Sequence, residues 1–359
     1  MHLRSNKNVM NIDTLTYYLL YIPIFKYYGI ITIALNLGII LIYGIDFHFN
    51  LSIIISILVI SITQAIIKVN QWCKKNNGGK NEWIPLSKRE NVSINVVVTG
   101  GGNGLGLKIV ESLISRYSNN KTISNLNNLK MSIIVIDKEI PVGITSTKNL
   151  SVEVHYIKHD FKNAPNQNLY KKILEKFDNS NSNSINVLIN NAAIRYKFDE
   201  LYNIEDDIIR ENFQVNVFSP VSLIKMLKPN YLITISSVLG LIAPSNCSVY
   251  AATKSALLSF HDSWIHERRE RRGLLVLPGQ LKDTDMFRNI TPPKPFFAPL
   301  VDINQLVNEI LLKLEIGECG ELCMPLYVNF MSILRCLPYF MVEILRKFSG
   351  VDDCKEENF

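Results

Sequence analysis

The chain has 359 residues, of which 47% are hydrophobic and 19% are charged, and its formal net charge is +6. This length suits one large domain with an appendage or two small domains. The composition excludes disorder throughout, because such a chain can bury enough apolar surface to offset its conformational entropy. The mean hydropathy of +0.12 is high for a soluble enzyme, and the hydrophobic excess is concentrated near the amino terminus.

Two long apolar runs, Tyr27–Tyr43 and Leu51–Val69, lie in this amino-terminal part. Each is close to the roughly 20 residues that span a bilayer core. Lys and Arg flank the pair on both outer sides, whereas the connector 44–50 has none. By the positive-inside rule this pattern predicts a helical hairpin with both ends in the cytosol. The alternatives are a single span with a second interfacial segment, or a hairpin inserted into one leaflet.

Charge and cysteine usage exclude several classes of function. Residues 1–90 contain nine Lys or Arg and four Asp or Glu, and the rest of the chain contains 29 and 28. The basic balance therefore belongs to the membrane segment and does not indicate nucleic-acid binding. The six cysteines form no CxxC pair, and no His cluster has metal-ligand spacing. We expect no metal site and no disulfide, in keeping with a reducing cytosolic face.

Five segments follow from these patterns. They are a polar amino terminus at 1–13, a membrane anchor at 14–69, a linker at 70–91, an α/β domain at 92–325 and an amphipathic tail at 326–359. The linker is polar and contains a Gly-Gly pair and a proline, which are typical of a connection between folded parts. The tail is apolar over Val328–Phe348, where it is interrupted by two arginines and a proline.

Short β-branched runs alternate with amphipathic stretches of helical length from Ser93 onward. Apolar strands separated by helices predict a parallel sheet covered on both faces, which is a doubly wound α/β fold with about seven strands. The predicted strands are Ile94–Thr99, Ser132–Asp137, Val152–Ile157, Ile185–Asn190, Tyr231–Ser236, Leu274–Leu277 and Glu321–Met324. The predicted helices are Leu105–Tyr117, Tyr170–Phe177, Glu205–Met226, Val249–Arg268 and Ile303–Leu314.

A glycine-rich loop connects the first predicted strand to the first predicted helix. Its sequence from Thr99 to Gly106 is TGGGNGLG. Glycines permit a tight turn and let the backbone approach a pyrophosphate, whose charge is met by the start of the helix. The loop therefore predicts a dinucleotide site. Its predicted contacts are Gly100, Gly102, Asn103, Gly104, Leu105 and Gly106.

An acidic residue, Asp137, ends the second predicted strand. In a dinucleotide fold an acid at this place accepts hydrogen bonds from the adenosine ribose and repels a 2′-phosphate. Asp137 follows Gly106 by 31 residues, more than the usual separation of about 20, and the Asn-rich insertion 119–128 accounts for the excess. The glycine loop offers no guanidinium for a 2′-phosphate, although Lys138 follows the acid. NAD is therefore favoured over NADP.

The remaining polar motifs occur in a fixed order. They are Asn190-Asn191-Ala192-Ala193, Asn216, Ser236-Ser237, Tyr250-x-x-x-Lys254 and Pro278-Gly279. This order, with Ser237 placed 13 residues before Tyr250, resembles the short-chain dehydrogenase/reductase family over about residues 94–325. The resemblance implies a Rossmann-type fold and an oxidoreductase that interconverts an alcohol and a ketone or aldehyde with a nicotinamide cofactor.

Tyr250 and Lys254 are spaced one helical turn apart, so the ammonium can favour the phenolate and bring its pKa from about 10 toward physiological pH. Tyr250 would then act as general base or general acid. Ser237, just past the end of a strand, would hydrogen-bond the substrate oxygen. By resemblance, Lys254 also holds the nicotinamide ribose, and Asn216 anchors a water that relays protons from Lys254.

The resemblance assigns cofactor contacts to seven further residues. They are Asp160 and Phe161 at the adenine, Asn191 and Ala192 on the adenosine side, Pro278 and Gly279 near the carboxamide, and Thr284 at the carboxamide or a phosphate. Two departures from the family pattern concern loop geometry more than activity. Ala193 replaces the glycine of the NNAG motif, and Thr284 lies one residue later than the usual spacing.

The anchor and the tail are similar to those of the membrane-bound retinol dehydrogenase and 17β-hydroxysteroid dehydrogenase branch. Many members of that branch sit on endoplasmic reticulum or lipid droplets. The resemblance implies a lipophilic substrate of retinoid, steroid or long-chain fatty alcohol type, contact with membrane lipids and a catalytic domain facing the cytosol. It also allows a homodimer. The tail would lie in the membrane interface or pack on the protein itself or on a second subunit.

Two other functions fit parts of the sequence. One is an NADPH-dependent ketoreductase of lipid synthesis, of 3-ketoacyl or ketosphinganine type, and Asp137 argues against it. The other is a non-catalytic scaffold bound to a membrane. The combined presence of Ser237, Tyr250 and Lys254 argues against a scaffold.

Overall fold

The structure is a computed structural model that describes a defined part of the chain. The described residues are 58, 61–62, 64–66, 68–77, 83–118, 129–139, 152–178, 184–267, 270–282, 284–291, 294 and 296–356. The run Tyr27–Tyr43, and with it most of the predicted hairpin, lies outside them. Within the described ranges, no helix combines the length and the apolar character needed to cross a membrane.

Seven parallel strands form one sheet. They are β1 (Ser93–Thr99), β2 (Lys130–Asp137), β3 (Val152–Lys158), β4 (Ser184–Asn190), β5 (Tyr231–Ile235), β6 (Arg272–Pro278) and β8 (Gly320–Met324). Their order in the sheet is β3-β2-β1-β4-β5-β6-β8. The chain builds outward from β1 through β2 and β3, and then continues on the other side of β1 with β4. This reversal opens a crevice at the carboxyl ends of β1 and β4, where doubly wound sheets bind ligands. The predicted sheet is confirmed.

Helices cover both faces of this sheet. From residue 93 onward the helices are α1 (Gly104–Ser118), α2 (Gln167–Leu174), α3 (Asp206–Phe213), α4 (Ser219–Leu227), α5 (Ser248–Glu267), α6 (Ile303–Ile316) and α7 (Tyr339–Ser349), of which α7 belongs to the tail and has no buried residue. One buried cluster joins α1 and α6 to the sheet, and a second joins α2, α4 and α5 to it. Because β1 is buried along its whole length, its continuous apolar run is explained by helices on both sides.

Two predicted helical stretches differ from the structure. The stretch 205–226 is divided into α3 and α4 by a π-helical turn at Gln214–Phe218. Such turns interrupt the regular helical spacing, and this one contains the fully buried Asn216. The tail forms a 3-10 segment at Leu326–Cys336 before α7 begins. Pro338 separates the two, since a proline restricts the residue before it and cannot continue a helix.

A second, small sheet joins two distant parts of the chain. In it β7 (Ile290–Thr291) pairs antiparallel with β9 (Lys355–Glu356). Strands of two residues carry no hydrophobic period, so the sequence could not predict them. The pairing places the end of the tail beside the segment that follows β6.

Candidate active site

The glycine loop makes its turn directly at the carboxyl end of β1. Gly100 has a φ of +65°, in the left-handed region that favours glycine. A Cβ on Gly106 would lie 2.1 Å from the carbonyl oxygen of Gly100, so a larger residue there would displace the loop. Asn191, after β4, donates from Nδ2 to the carbonyl oxygens of Thr99 at 3.1 Å and Gly100 at 2.9 Å. These bonds fix the loop against β4.

Asp137 faces this loop from the end of β2. Its Oδ2 accepts the backbone N–H of Gly102 at 2.7 Å. A Cβ on Gly102 would lie 2.8 Å from the same oxygen and 2.8 Å from the carbonyl oxygen of Glu139, so a larger residue here would displace backbone. Lys138, the next residue, is exposed and pairs with Glu139 at 3.7 Å.

A cleft of about 680 Å³ extends from the glycine loop to α5, within the usual volume range of small-molecule sites. Most of the predicted site residues line it. They are Gly100, Asn103, Gly104, Leu105, Asp137, Asp160, Phe161, Asn191, Ala192, Ser237, Tyr250, Lys254, Pro278, Gly279 and Thr284. Three other predicted site residues, Gly102, Gly106 and Asn216, are not among the lining residues. Gly102 and Gly106 instead allow backbone and side-chain atoms to approach closely within the loop.

Asn216 is fully buried and holds the segment that follows β4. Its Oδ1 accepts the N–H of Ile194 at 2.8 Å, and its Nδ2 donates to the carbonyl oxygen of Ile194 at 2.8 Å and to Oγ1 of Thr253 at 3.0 Å. The side chain thus fixes this segment relative to α5. The water relay that the resemblance assigns to Asn216 stays a prediction.

Tyr250 and Lys254 lie one turn apart on α5 and are only 6% and 2% exposed. The Nζ of Lys254 lies 5.6 Å from the centroid of the Tyr250 ring and donates to the carbonyl oxygen of Ile235 at 3.1 Å. Burial lowers the pKa of Lys254 to about 8. A lysine with this pKa can hold or release a proton near neutral pH.

The pKa of Tyr250 differs from the sequence-based expectation. Burial raises this pKa above its ordinary value, the nearby Cys247 thiol raises it further, and Arg195 lowers it. The predicted lowering of this pKa toward neutrality is therefore wrong, because desolvation of the phenolate outweighs the opposing effect of Arg195.

Two serines after β5 have separate roles. Ser236 donates from Oγ to the backbone carbonyl oxygen of Lys254 at 2.8 Å, which ties β5 to α5. Ser237 begins a 3-10 turn, accepts the N–H of Leu239 at 3.1 Å through Oγ and lines the cleft. As predicted from its position, Ser237 lies just past the end of a strand.

Three lining residues were missed by sequence reasoning. The hydroxyl of Tyr250 donates to Sδ of Met286 at 3.8 Å, and the ring of Phe287 packs edge-on against Tyr250 with centroids 5.8 Å apart. Arg195 donates from Nε to the carbonyl oxygen of Met286 at 2.9 Å. No motif marks these residues, and the adjacent Met286 and Phe287 in the polar segment 280–289 were the one available signal.

A family model described as short chain dehydrogenase matches residues 94–295. The chain belongs to the short-chain dehydrogenase family. It is an oxidoreductase that acts on a CH–OH group with NAD or NADP, as the motif order predicted.

Relatives of this dehydrogenase match over most of its length. It is 32% identical to the Saccharomyces cerevisiae oxidoreductase TDA5 over 358 residues, which cover 96% of this chain and 99% of that protein. It is 26% identical to Retinol dehydrogenase 10-A of Danio rerio, over 76% of this chain and 87% of the relative. The fold matches a short-chain dehydrogenase from Burkholderia cenocepacia in complex with NADP, with a TM-score of 0.52 at 20% identity over 74% of this chain and 98% of that one.

The cleft of this dehydrogenase fits a nicotinamide dinucleotide. Gly100 and Gly106 keep the loop compact, so a pyrophosphate can approach the amino terminus of α1. Asp137, Tyr250 and Lys254 line the same cleft. When bound, the cofactor accepts or supplies the hydride.

Replacement of Gly106 tests the loop. We expect Gly106→Ala to weaken NADH binding by about tenfold or more, because the added Cβ meets the Gly100 carbonyl oxygen and forces the loop to move. Lys108→Ala, at a half-exposed position on the same helix, is the matched control and should bind normally. Fluorescence titration of NADH measures both. Unchanged affinity in Gly106→Ala would contradict this role of the loop.

Proposed function

We propose that this dehydrogenase interconverts an alcohol and a ketone or aldehyde on a lipophilic substrate at a membrane surface, with NAD preferred over NADP. The observation that carries the proposal is the apolar cover over Tyr250. Met286 and Phe287 contact this residue, and Ile194 and Leu281 also line the cleft. A substrate hydroxyl that reaches Tyr250 must displace the contact between Tyr250 and Met286. A substrate with an apolar body compensates for the loss of this contact by packing against the apolar side chains that line the cleft.

The proposed chemistry uses three side chains of the cleft. In oxidation, Tyr250 accepts the hydroxyl proton of the alcohol, and in reduction it returns that proton. Ser237 hydrogen-bonds the substrate oxygen and stabilises the charge that develops on it. Lys254 supplies positive charge beside the phenol and, with a pKa of about 8, holds or passes on a proton.

Burial disfavours the Tyr250 phenolate, so the proposal requires nearby positive charge. Lys254 lies 5.6 Å from the Tyr250 ring, and Arg195 lowers the pKa of Tyr250. In a buried site such interactions are stronger than in water. We assign both cations to the stabilisation of the phenolate.

The preference for NAD rests on Asp137. Its carboxylate lies beside the loop and would repel a 2′-phosphate. Lys138 is exposed and paired with Glu139, so its charge is partly compensated. This arrangement favours the alcohol dehydrogenase over the NADPH-dependent ketoreductase.

The membrane part of the proposal has two supports. The apolar runs of residues 14–69 have the length and flanking charges of an anchor. The described helical residues near its end carry exposed apolar side chains at helical spacing, which are Leu58, Ile62, Ile66, Val69 and Trp72. In the tail, α7 exposes Tyr339, Phe340, Ile344 and Phe348. Apolar area beside Arg346 and Lys347 is the pattern of a helix in a membrane interface. The homodimer stays a prediction.

The catalytic assignment is tested at Tyr250. We expect Tyr250→Phe to lower kcat for a fatty alcohol or retinol by at least about a thousandfold, because the proton acceptor is removed. The Kd for NADH should stay within about twofold, since no charge is lost. Stopped-flow kinetics and NADH titration give the two values. Undiminished alcohol oxidation by Tyr250→Phe would contradict the catalytic assignment. If the unmodified protein binds NADH but oxidises no alcohol, the result would favour a non-catalytic scaffold.

The cofactor preference is tested at Asp137. We expect the unmodified protein to bind NADH at least about tenfold more tightly than NADPH, and Asp137→Ala to lose this preference because the repulsion of the 2′-phosphate is removed. Lys138→Gln is the companion variant and should leave the NADH affinity unchanged. Titration calorimetry gives the affinities of each protein for NADH and for NADPH. NADPH preferred by the unmodified protein would favour the ketoreductase.

The interfacial role of α7 is tested with one substrate in two forms. We expect Phe340→Glu with Ile344→Glu to raise KM by about tenfold for dodecanol in phosphatidylcholine vesicles, because the apolar face leaves the interface. In detergent micelles KM should change little. Leu312→Glu, at a partly exposed leucine on α6, is the control. Equal changes of KM in vesicles and in micelles would contradict the interfacial role of α7. The anchor is tested separately, and release of the full chain from vesicles by alkaline carbonate would contradict it.

A further inference from the structure

Arg195 is a buried guanidinium that joins three segments around Tyr250. Its side chain is only 7% exposed, and it follows Ile194, which Asn216 holds in place. Its Nε donates to the carbonyl oxygen of Met286, and its Nη1 and Nη2 donate to the two carboxylate oxygens of Glu356 at 3.1 and 3.0 Å. This two-bond pairing uses the planar fork of arginine, which lysine lacks.

Glu356 brings the end of the tail into this network. It lies in β9, which pairs with β7, and its Oε2 also accepts the N–H of Phe198 at 2.8 Å. The hydrogen bond from Arg195 is the main reason that the pKa of Glu356 is lowered. The carboxylate is therefore ionised at neutral pH and binds the segment after β4, while the backbone of β9 pairs with β7 in the segment after β6.

A second ion pair fixes the tail to the loop between Ser237 and Tyr250. Arg346 of α7 donates from Nε to Asp352 at 2.8 Å and from Nη2 to the carbonyl oxygen of Ala243 at 3.0 Å. Asp352 in turn accepts the N–H of Ser245 at 2.9 Å. The tail thus contacts the loops that follow β4, β5 and β6, all of which border the catalytic end of the cleft.

We propose that Arg195, locked by Glu356, is a positioning residue that holds Met286 and Phe287 as an apolar roof over Tyr250, so that the carboxy-terminal strand determines which substrates the dehydrogenase accepts. The proposal rests on the proposed function, because both concern one site. The contact between Met286 and the Tyr250 hydroxyl gives the roof its closed position. A long apolar alcohol replaces this contact with extensive packing against the roof, whereas a short alcohol gains little from it.

Kinetics with two alcohols in the full chain test the roof. We expect Glu356→Gln to raise KM for dodecanol by about tenfold, but KM for butanol by less than about twofold, with kcat within about twofold for both. Arg195→Gln should raise KM in the same selective way and also lower kcat for both alcohols, because it removes a charge that stabilises the phenolate. Arg195→Lys should recover part of the loss. Arg210→Gln, which removes an exposed pair with Asp207, is the matched control. Equal changes in KM for the two alcohols, or none, would overturn the proposal.

Hydrogen exchange gives a reading that needs no turnover. We expect amides of residues 284–291 to exchange about tenfold faster in Glu356→Gln and in Arg195→Gln, because the bonds to Met286 and β7 weaken. The double variant should add little, since both changes break one network. NADH affinity should be unchanged, which shows that the variants are folded. If the unmodified enzyme oxidises neither alcohol, the proposed function is contradicted. In that case the hydrogen-exchange rates of residues 284–291 still show whether the tail holds the roof. Unchanged exchange overturns the proposal.

Discussion

The hydrogen bonds between Thr99 and Asn191 hold together the two sides of the crevice on which the site depends. The hydroxyl oxygen of Thr99 accepts the backbone N–H groups of Asn191 and Ala192 at 3.0 and 3.1 Å, and it donates to the carbonyl oxygen of Ile189. A threonine hydroxyl has one donor and two acceptor positions, and all three are used. This buried junction joins the ends of β1 and β4 where the strand order reverses, so the glycine loop and the segment leading to Arg195 start from one fixed point.

The electrostatics of the cleft follow from what burial does to each cation beside Tyr250. Lys254 is buried with one described carbonyl acceptor, and its pKa falls to about 8. Arg195 keeps its charge, because a guanidinium does not deprotonate in proteins, and Glu356 compensates it. The two cations therefore differ in function. Lys254 can exchange a proton near neutral pH, whereas Arg195 provides a constant positive charge beside a phenol whose pKa is raised by burial.

The sequence predicts the features of this protein that repeat or that match a motif. The five inner strands and the edge strands β3 and β8 follow from β-branched or apolar runs between helices, and Ser237, Tyr250 and Lys254 follow from their joint spacing. The pKa of Tyr250 does not, because helical spacing tells which residues are neighbours but not how much solvent the fold removes. The π-helical turn at Gln214–Phe218 is also hidden, since it contains Asn216, whose contact with Ile194 lies 22 positions away in the chain.

The least predictable contacts are those that close the catalytic end of the cleft. Arg195 and Glu356 are 161 positions apart, and the strands β7 and β9 that align them have two residues each. Local propensity carries no information on such a pairing, because the two partners are brought together only by the positions of loops that the sheet determines. The roof over Tyr250 is therefore attached to the core through side-chain bonds and a short ladder, while the glycine loop is built from backbone that adjoins a buried strand. Substrate selection can change through the tail while the cofactor loop and the catalytic side chains of α5 remain in place.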